Sequence, residues 1–220
     1  MNEKFAVIFD MDGVLVENSE FHDQAWQMIC KKYKSIKSAE EIKSIFGGTN
    51  YMFVAKLLGM TDENEIKAIA EEKEALYRKI YLEHIKFPSG LQNLLIELKQ
   101  NNVRMAVATS APRVNLDFVL DILNIRDYFE VLIDESYVKH GKPDPEIYRI
   151  TAQQLKIKPE NCIVIEDSIF GIQSAKANGM KVIGITTTFS SGQINFADLV
   201  IKNFKEIDLI RIKTLLNGLN

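Results

Sequence analysis

Six short runs rich in apolar and β-branched residues recur along the chain, and what lies between them limits the folds it can adopt. They are FAVIF (5–9), VRMAVA (103–108), VLI (131–133), CIVI (162–165), KVIGI (181–185) and ADLVI (197–201). From residue 88 onward, segments with helical period separate them. One places Leu91, Leu94, Leu95 and Leu98 on one face; another does the same with Leu116, Val119, Leu120 and Leu123. Strand and helix in alternation predict an α/β chain, a Rossmann-like and mostly parallel sheet flanked by helices. Residues 17–86 break the rule: no run there reads as a strand. FHDQAWQMICKKY, YMFVAKLLGM and ENEIKAIAEEKEALYRKIYLEHI all read as helices, punctuated by Gly47, Gly48 and Gly59. The expected organisation is a core of residues 1–16 and 87–220 with an inserted all-helical domain at 17–86. Its crossing points, near 15–18 and 86–90, would lie close to the carboxyl end of the first strand. In open α/β sheets ligands bind at that edge.

Charge and cysteine usage narrow the partners. The net charge is -3 and the pI about 5.7, so neither nucleic acid nor an anionic membrane is an expected partner. No segment approaches the length of a bilayer span. The amino-terminal apolar run is short and follows Glu3 and Lys4, so it does not read as a secretory signal. Cys30 and Cys162 match no metal or redox spacing and read as buried free thiols in a reducing cytosol. A cytoplasmic protein, monomeric by default, is the expectation.

The first run ends abruptly in Asp10 and reaches Asp12 and Gly13 two and three residues later. Carboxylates lose heavily when taken unpaired out of water, so two of them at a strand end need a reason. Residues two apart on an extended strand point the same way. The pair reads as loop aspartates capping a helix, as a nucleophile with an acid/base, or as ligands of a hard metal. VATSAP ends a strand in Thr109 and Ser110, which suits either an ordinary helix cap or an anion, phosphate above all. In HGKPDPEIY, Lys142 reads as a solvated charge or as the partner of a doubly negative group. CIVIEDSIFGIQSAKANGM ends another strand in Glu166 and Asp167. With parallel strands the two acidic ends can meet, and the gathered carboxylates would raise one another's pKa unless a cation joined them. Mg²⁺, which prefers oxygen ligands, would resolve the repulsion.

These residues carry a resemblance. DMDGV (10–14), Thr109, Lys142 and the acidic pair 166–167 resemble the haloacid-dehalogenase-like phosphatases in order, strand-end placement and the insertion after the first motif. FDMDGVL, GKPDPEIY and IEDSIFGIQSAKANGM are most similar to the branch holding β-phosphoglucomutases and sugar-phosphate phosphatases with a helical cap domain. The resemblance implies that Asp10 attacks phosphorus to form an aspartyl-phosphate and that Asp12 serves as acid and then base. Thr109, the backbone at Ser110 and Lys142 would bind the transferring phosphoryl group. Mg²⁺ would be held by Asp10, the Asp12 backbone carbonyl and Asp167, with Glu166 joining directly or through water. A small phosphorylated metabolite is the implied partner.

The cap would choose the substrate, with His22, Asn50 and Lys73 as candidate contacts. His22 sits where the mutases carry a histidine that couples substrate binding to closure, or is a partly buried helix histidine. Lys73 matches a mutase cap lysine, yet Glu72 and Glu74 flank it, which also reads as a solvated face. Trp26 reads as cap core. At Asn50 the mutases carry an arginine for the substrate's distal phosphate, and asparagine cannot make that bidentate charged contact. Hydrolysis of a small phosphomonoester, a sugar phosphate, is therefore the expected reaction, with a phosphosugar mutase as the alternative. A non-enzymatic phosphoacceptor signalling module would gather similar residues, but on a shorter chain with its acceptor on a middle strand.

Overall fold

The computed structural model describes residues 5–35, 37–38, 41 and 50–218; Gly47 and Gly48 lie outside them. Six strands form one parallel sheet: β1 (Ala6–Phe9), β2 (Arg104–Ala108), β3 (Val131–Ile133), β4 (Cys162–Glu166), β5 (Lys181–Ile185) and β6 (Leu199–Ile201), in the order β3-β2-β1-β4-β5-β6. The helices outside the insertion are α4 (Leu91–Gln100), α5 (Arg113–Ile122), α6 (Glu146–Leu155), α7 (Ile169–Ala177) and α8 (Leu209–Leu216). Among the described residues, the insertion holds α1 (Ser19–Lys32), α2 (Asn50–Leu58) and α3 (Glu63–Tyr81).

The apolar runs form strands because the sheet buries both their faces. All four residues of β1 are buried, as are all five of β4. On one face Ala6, Ile8, Ala106, Val164 and Val182 pack under Ile147, Tyr148 and Leu155 of α6 and Ile172 and Ala175 of α7. Val7, Phe9, Met105, Val107, Ile163 and Ile165 alternate to the other face, where α8 packs on β4 and α4 on α8. Register puts Phe9 opposite both Val107 and Ile165, so β1, β2 and β4 end level with one another. The last run begins later than its apolar character implies. The Asp198 carboxylate accepts the Val182 N–H at 2.8 Å, and the ladder of β6 starts only at Leu199.

The chain divides into two compact units, Met1–Glu17 with Lys86–Asn220, and Asn18–Ile85. The second has its own core, in which Trp26 stacks on Phe53 at 4.9 Å among Ile29, Leu57, Ile66 and Ile69. Its long helix α3 starts cleanly because the Asp62 side chain accepts from the N–H groups of Asn64 and Glu65. No helix among the described residues is long and apolar enough to cross a membrane.

Candidate active site

Parallel pairing makes the acidic cluster. Asp10 extends β1 and donates its N–H to the Ile165 carbonyl at 3.0 Å, which sets it beside Glu166 at the end of β4. Asp10, Glu166 and Asp167 each offer an oxygen within 4.8 Å of the others, and all three are buried. Lys142 arrives from the segment before α6 and is itself buried. Its ammonium donates to Asp10 Oδ1 at 2.7 Å and to Glu166 Oε1 at 2.6 Å.

Glu166 is the most heavily bonded of the acids. Its Oε1 also accepts from the Tyr148 hydroxyl at 2.8 Å. Its Oε2 accepts from the N–H groups of Asp167 and Ser168 and from the Ser168 hydroxyl at 2.9–3.0 Å. Burial raises its pKa, but the Lys142 charge and these hydrogen bonds outweigh it and hold the carboxyl below its ordinary range. Asp10 behaves oppositely. Burial pushes it up to about 8, and the charges of Glu166 and Asp12 add to this against the opposing Lys142. Burial, then the charges of Glu166 and Asp10, likewise raise Asp167 well above the usual carboxylate value. Burial alone would lower Lys142, yet Asp10 and Glu166 hold it well above its ordinary value.

Three carboxylates therefore face one ammonium, and two of them would sooner keep a proton than stay charged. That excess fits a divalent cation, and the all-oxygen donor set fits a hard one. The packing leaves room for these acids and little more. A Cβ at Gly171 would lie 1.7 Å from Glu166 Oε1, and one at Gly13 would lie 1.9 Å from Asp167 Oδ2. Gly13 also takes φ +79°, which closes the turn after Asp12. Asp12 itself is half-buried in that turn, and its backbone bridges to Val16.

Thr109 follows β2, buried, with its N–H donated to Ile133 O at 2.9 Å and its hydroxyl oxygen accepting from Ala111 N–H at 3.0 Å. The hydroxyl proton stays available for an anion. Ser110 is half-buried at the next position. Sheet order sets β2 beside β1, so Thr109, just past its end, stands at the same edge as the acids.

The remaining sequence candidates gather in the helical unit. Lys73 donates to His22 Nδ1 at 2.7 Å and to Glu74 Oε1 at 2.8 Å, and Asn50 Nδ2 donates to that same oxygen at 2.9 Å. His22 stacks on Tyr77 with centroids 3.8 Å apart. The solvated-face reading of Lys73 is corrected here, because the side chain is 2 % exposed. It lies in the buried stripe Ile66, Ile69, Lys73, Tyr77, Tyr81 of α3, with Trp26 5.1 Å from its ammonium.

Residues 7–185 match the family model described as haloacid dehalogenase-like hydrolase. The chain belongs to that family. Among its haloacid dehalogenase-like relatives, a phosphorylated carbohydrates phosphatase of Thermotoga maritima is 31% identical over 194 residues, 86% of this chain and 88% of that one. A β-phosphoglucomutase of Bacillus subtilis is 32% identical over 221 residues, 93% of this chain and 92% of that one. The crystal structure of a family IA hydrolase from Entamoeba histolytica superposes with a TM-score of 0.90 at 31% identity, covering 97% of this chain and 99% of that one.

For a haloacid dehalogenase-like chain, sequence reasoning missed four polar groups. Glu74 was visible only as a flanking charge, although the α3 stripe passes next to it. Tyr148 lies inside a motif already quoted, but an apolar ring on a helix reads as core. Thr188 hydrogen-bonds Asp167 from the loop after β5, and Thr187 beside it donates to the Gly13 carbonyl at 2.5 Å. Nothing in the TTT run points to either contact.

Proposed function

We propose that this protein is a Mg²⁺-dependent phosphatase that hydrolyses a small sugar phosphate through an aspartyl-phosphate. The observation that carries the reading is the buried meeting of Asp10, Glu166 and Asp167 with Lys142, a cluster with more negative charge than its lysine can balance. Asp10, Asp167 and the Asp12 carbonyl would hold the metal, with Glu166 joining directly or through water. When bound, the metal supplies positive charge that offsets the phosphoryl oxygens and keeps Asp10 ionised.

The chain's own groups do the rest. An Asp10 oxygen forms a bond to phosphorus as the ester P–O bond breaks, and Asp12 gives its proton to the departing alkoxide. Asp12 then takes a proton from water, whose oxygen attacks phosphorus, releasing inorganic phosphate and restoring Asp10. Lys142 and the Thr109 hydroxyl, with the Ser110 backbone, bind the phosphoryl oxygens throughout. Such chemistry depends on alignment and charge neutralisation. The helical unit would serve as a cap, with His22 and Asn50 as candidate substrate contacts and the buried Lys73 behind them.

The mutase reading keeps two supports: the 32% identical β-phosphoglucomutase of Bacillus subtilis, and the pairing of Lys73 with His22, two residues in the positions mutases use. Asn50 and Glu74 count against it. Glu74 matches the Lys73 charge at 2.8 Å and is bonded by Asn50 where a mutase has arginine. A second phosphate brought there would meet a carboxylate. A panel of hexose, pentose and glycolytic monophosphates tests the proposal, read as Mg²⁺-dependent phosphate release. No turnover above an Asp10→Asn background would refute phosphatase activity. Conversion of β-glucose 1-phosphate to glucose 6-phosphate, primed by a bisphosphate and outpacing hydrolysis by orders of magnitude, would establish the mutase instead.

A further inference from the structure

Lys142 has a demanding position and little local support. It stands between Tyr137 and Glu146, outside any helix or strand, on a flexible four-carbon stem whose strongly hydrated head has been taken out of water. Two acceptors compete for that head, Asp10 Oδ1 at 2.7 Å and Glu166 Oε1 at 2.6 Å. The balance between them decides how far the ammonium is drawn onto the attacking carboxylate.

Tyr148, the third residue of α6, touches both sides of this balance. It is fully buried. Its ring lies under the ammonium, with Lys142 Nζ 5.0 Å from the centroid. Its hydroxyl donates to Glu166 Oε1, the oxygen that Lys142 also uses. Ile147 and Leu155 on the same helix pack into the sheet, so the ring rests on the rigid part of the unit. We propose that Tyr148 is the positioning residue for Lys142: its ring bears the ammonium, and its hydroxyl fixes the carboxylate that shares it with Asp10.

The consequence is specific. Without the ring and hydroxyl, neither the ammonium nor the Glu166 carboxylate that shares it with Asp10 is held in place, so Lys142 meets the phosphoryl group in a less fixed position. Transition-state binding then suffers more than ground-state binding, so kcat falls while KM changes little.

The inference rests on the phosphatase reading for its kinetic test, and a second readout is independent of it. Tyr148→Phe keeps the ring and removes the hydroxyl; Tyr148→Leu removes both. At a temperature where circular dichroism shows each variant folded, kcat on the substrate found by the panel is expected to fall about 3–10-fold for Phe. For Leu a fall of roughly 100-fold is expected, with KM within about twofold in both. Acetylation of Lys142 by acetic anhydride, followed by peptide mass spectrometry, is expected to quicken in the order wild type, Phe, Leu. If the wild type turns over no monophosphate, the phosphatase reading fails, and the acetylation order still decides the role of Tyr148. A folded Leu variant with wild-type acetylation of Lys142 overturns the proposal, even if its melting temperature has dropped.

Discussion

The two units of this chain each bury a lysine among polar groups, and they do so with different accounts of charge. In the sheet unit, Lys142 faces Asp10, Glu166 and Asp167, and two of those acids are driven towards their protonated forms. In the helical unit, Lys73 pairs with Glu74 and donates to His22, while Asn50 donates to the Glu74 carboxylate. A buried ion pair with its hydrogen bonds made asks for nothing more. Three acids around one ammonium leave charge unmatched, which on the proposed function a cation would offset. The comparison separates a site built for charge that arrives from a site whose charge is already matched.

The sharpest way to break this contrast is at Asp10. If Asp10 is the nucleophile of the proposed reaction, Asp10→Asn is expected to lower turnover on the best monophosphate at least about 10³-fold. The same change relieves repulsion, so the metal-free variant should melt no lower than the wild type by scanning fluorimetry. In the helical unit, the corresponding removal of a carboxylate has the opposite effect on stability. Glu74→Gln leaves the buried Lys73 charge without its partner and is expected to cost about 3 kcal/mol, measured by urea unfolding. If Glu74→Gln proves neutral, Lys73 is not relying on that pair.

A subtler test uses pH. Asp10 and Asp167 hold protons in the fold that their unfolded forms release near pH 3.8. Their contribution is present at low pH and is lost as pH rises through the Asp10 value of about 8. Glu166, held below 4.5, works in the opposite sense and matters only in acid. Mg²⁺ should therefore raise the melting temperature by a few degrees more at pH 8 than at pH 5.5; an equal gain at both would show that the acids are not the site. The smallest effect concerns the thiols. Burial raises both, Cys162 in the sheet to about 12, so iodoacetamide at pH 8 should label both slowly, and Cys30 before Cys162.

Much of this architecture is legible in one dimension, for identifiable reasons. A strand buried on both faces must be apolar throughout, so FAVIF and CIVI announce themselves, and the acids that end them stand out by contrast. Parallel pairing then brings Asp10 to Glu166 without further information. Lys73 is harder, because Glu72 and Glu74 make its neighbourhood look wet; only the stripe from Ile66 to Tyr81 tells otherwise. His22 is 51 residues from the lysine it bonds, and Thr187 is 174 from Gly13. No local pattern carries such pairings. The start of β6 at Leu199 was hidden for the same reason, since it depends on which N–H the Asp198 carboxylate takes.

Gly171 places a limit on anyone who would engineer this protein. It sits inside α7, where glycine weakens a helix by about 0.5–1 kcal/mol relative to alanine, so a scheme for thermal hardening would choose Gly171→Ala early. The added methyl would occupy the place of Glu166 Oε1. The change that best suits the helix is thus the one the acidic cluster cannot admit, and α7 keeps its glycine to make room for Glu166.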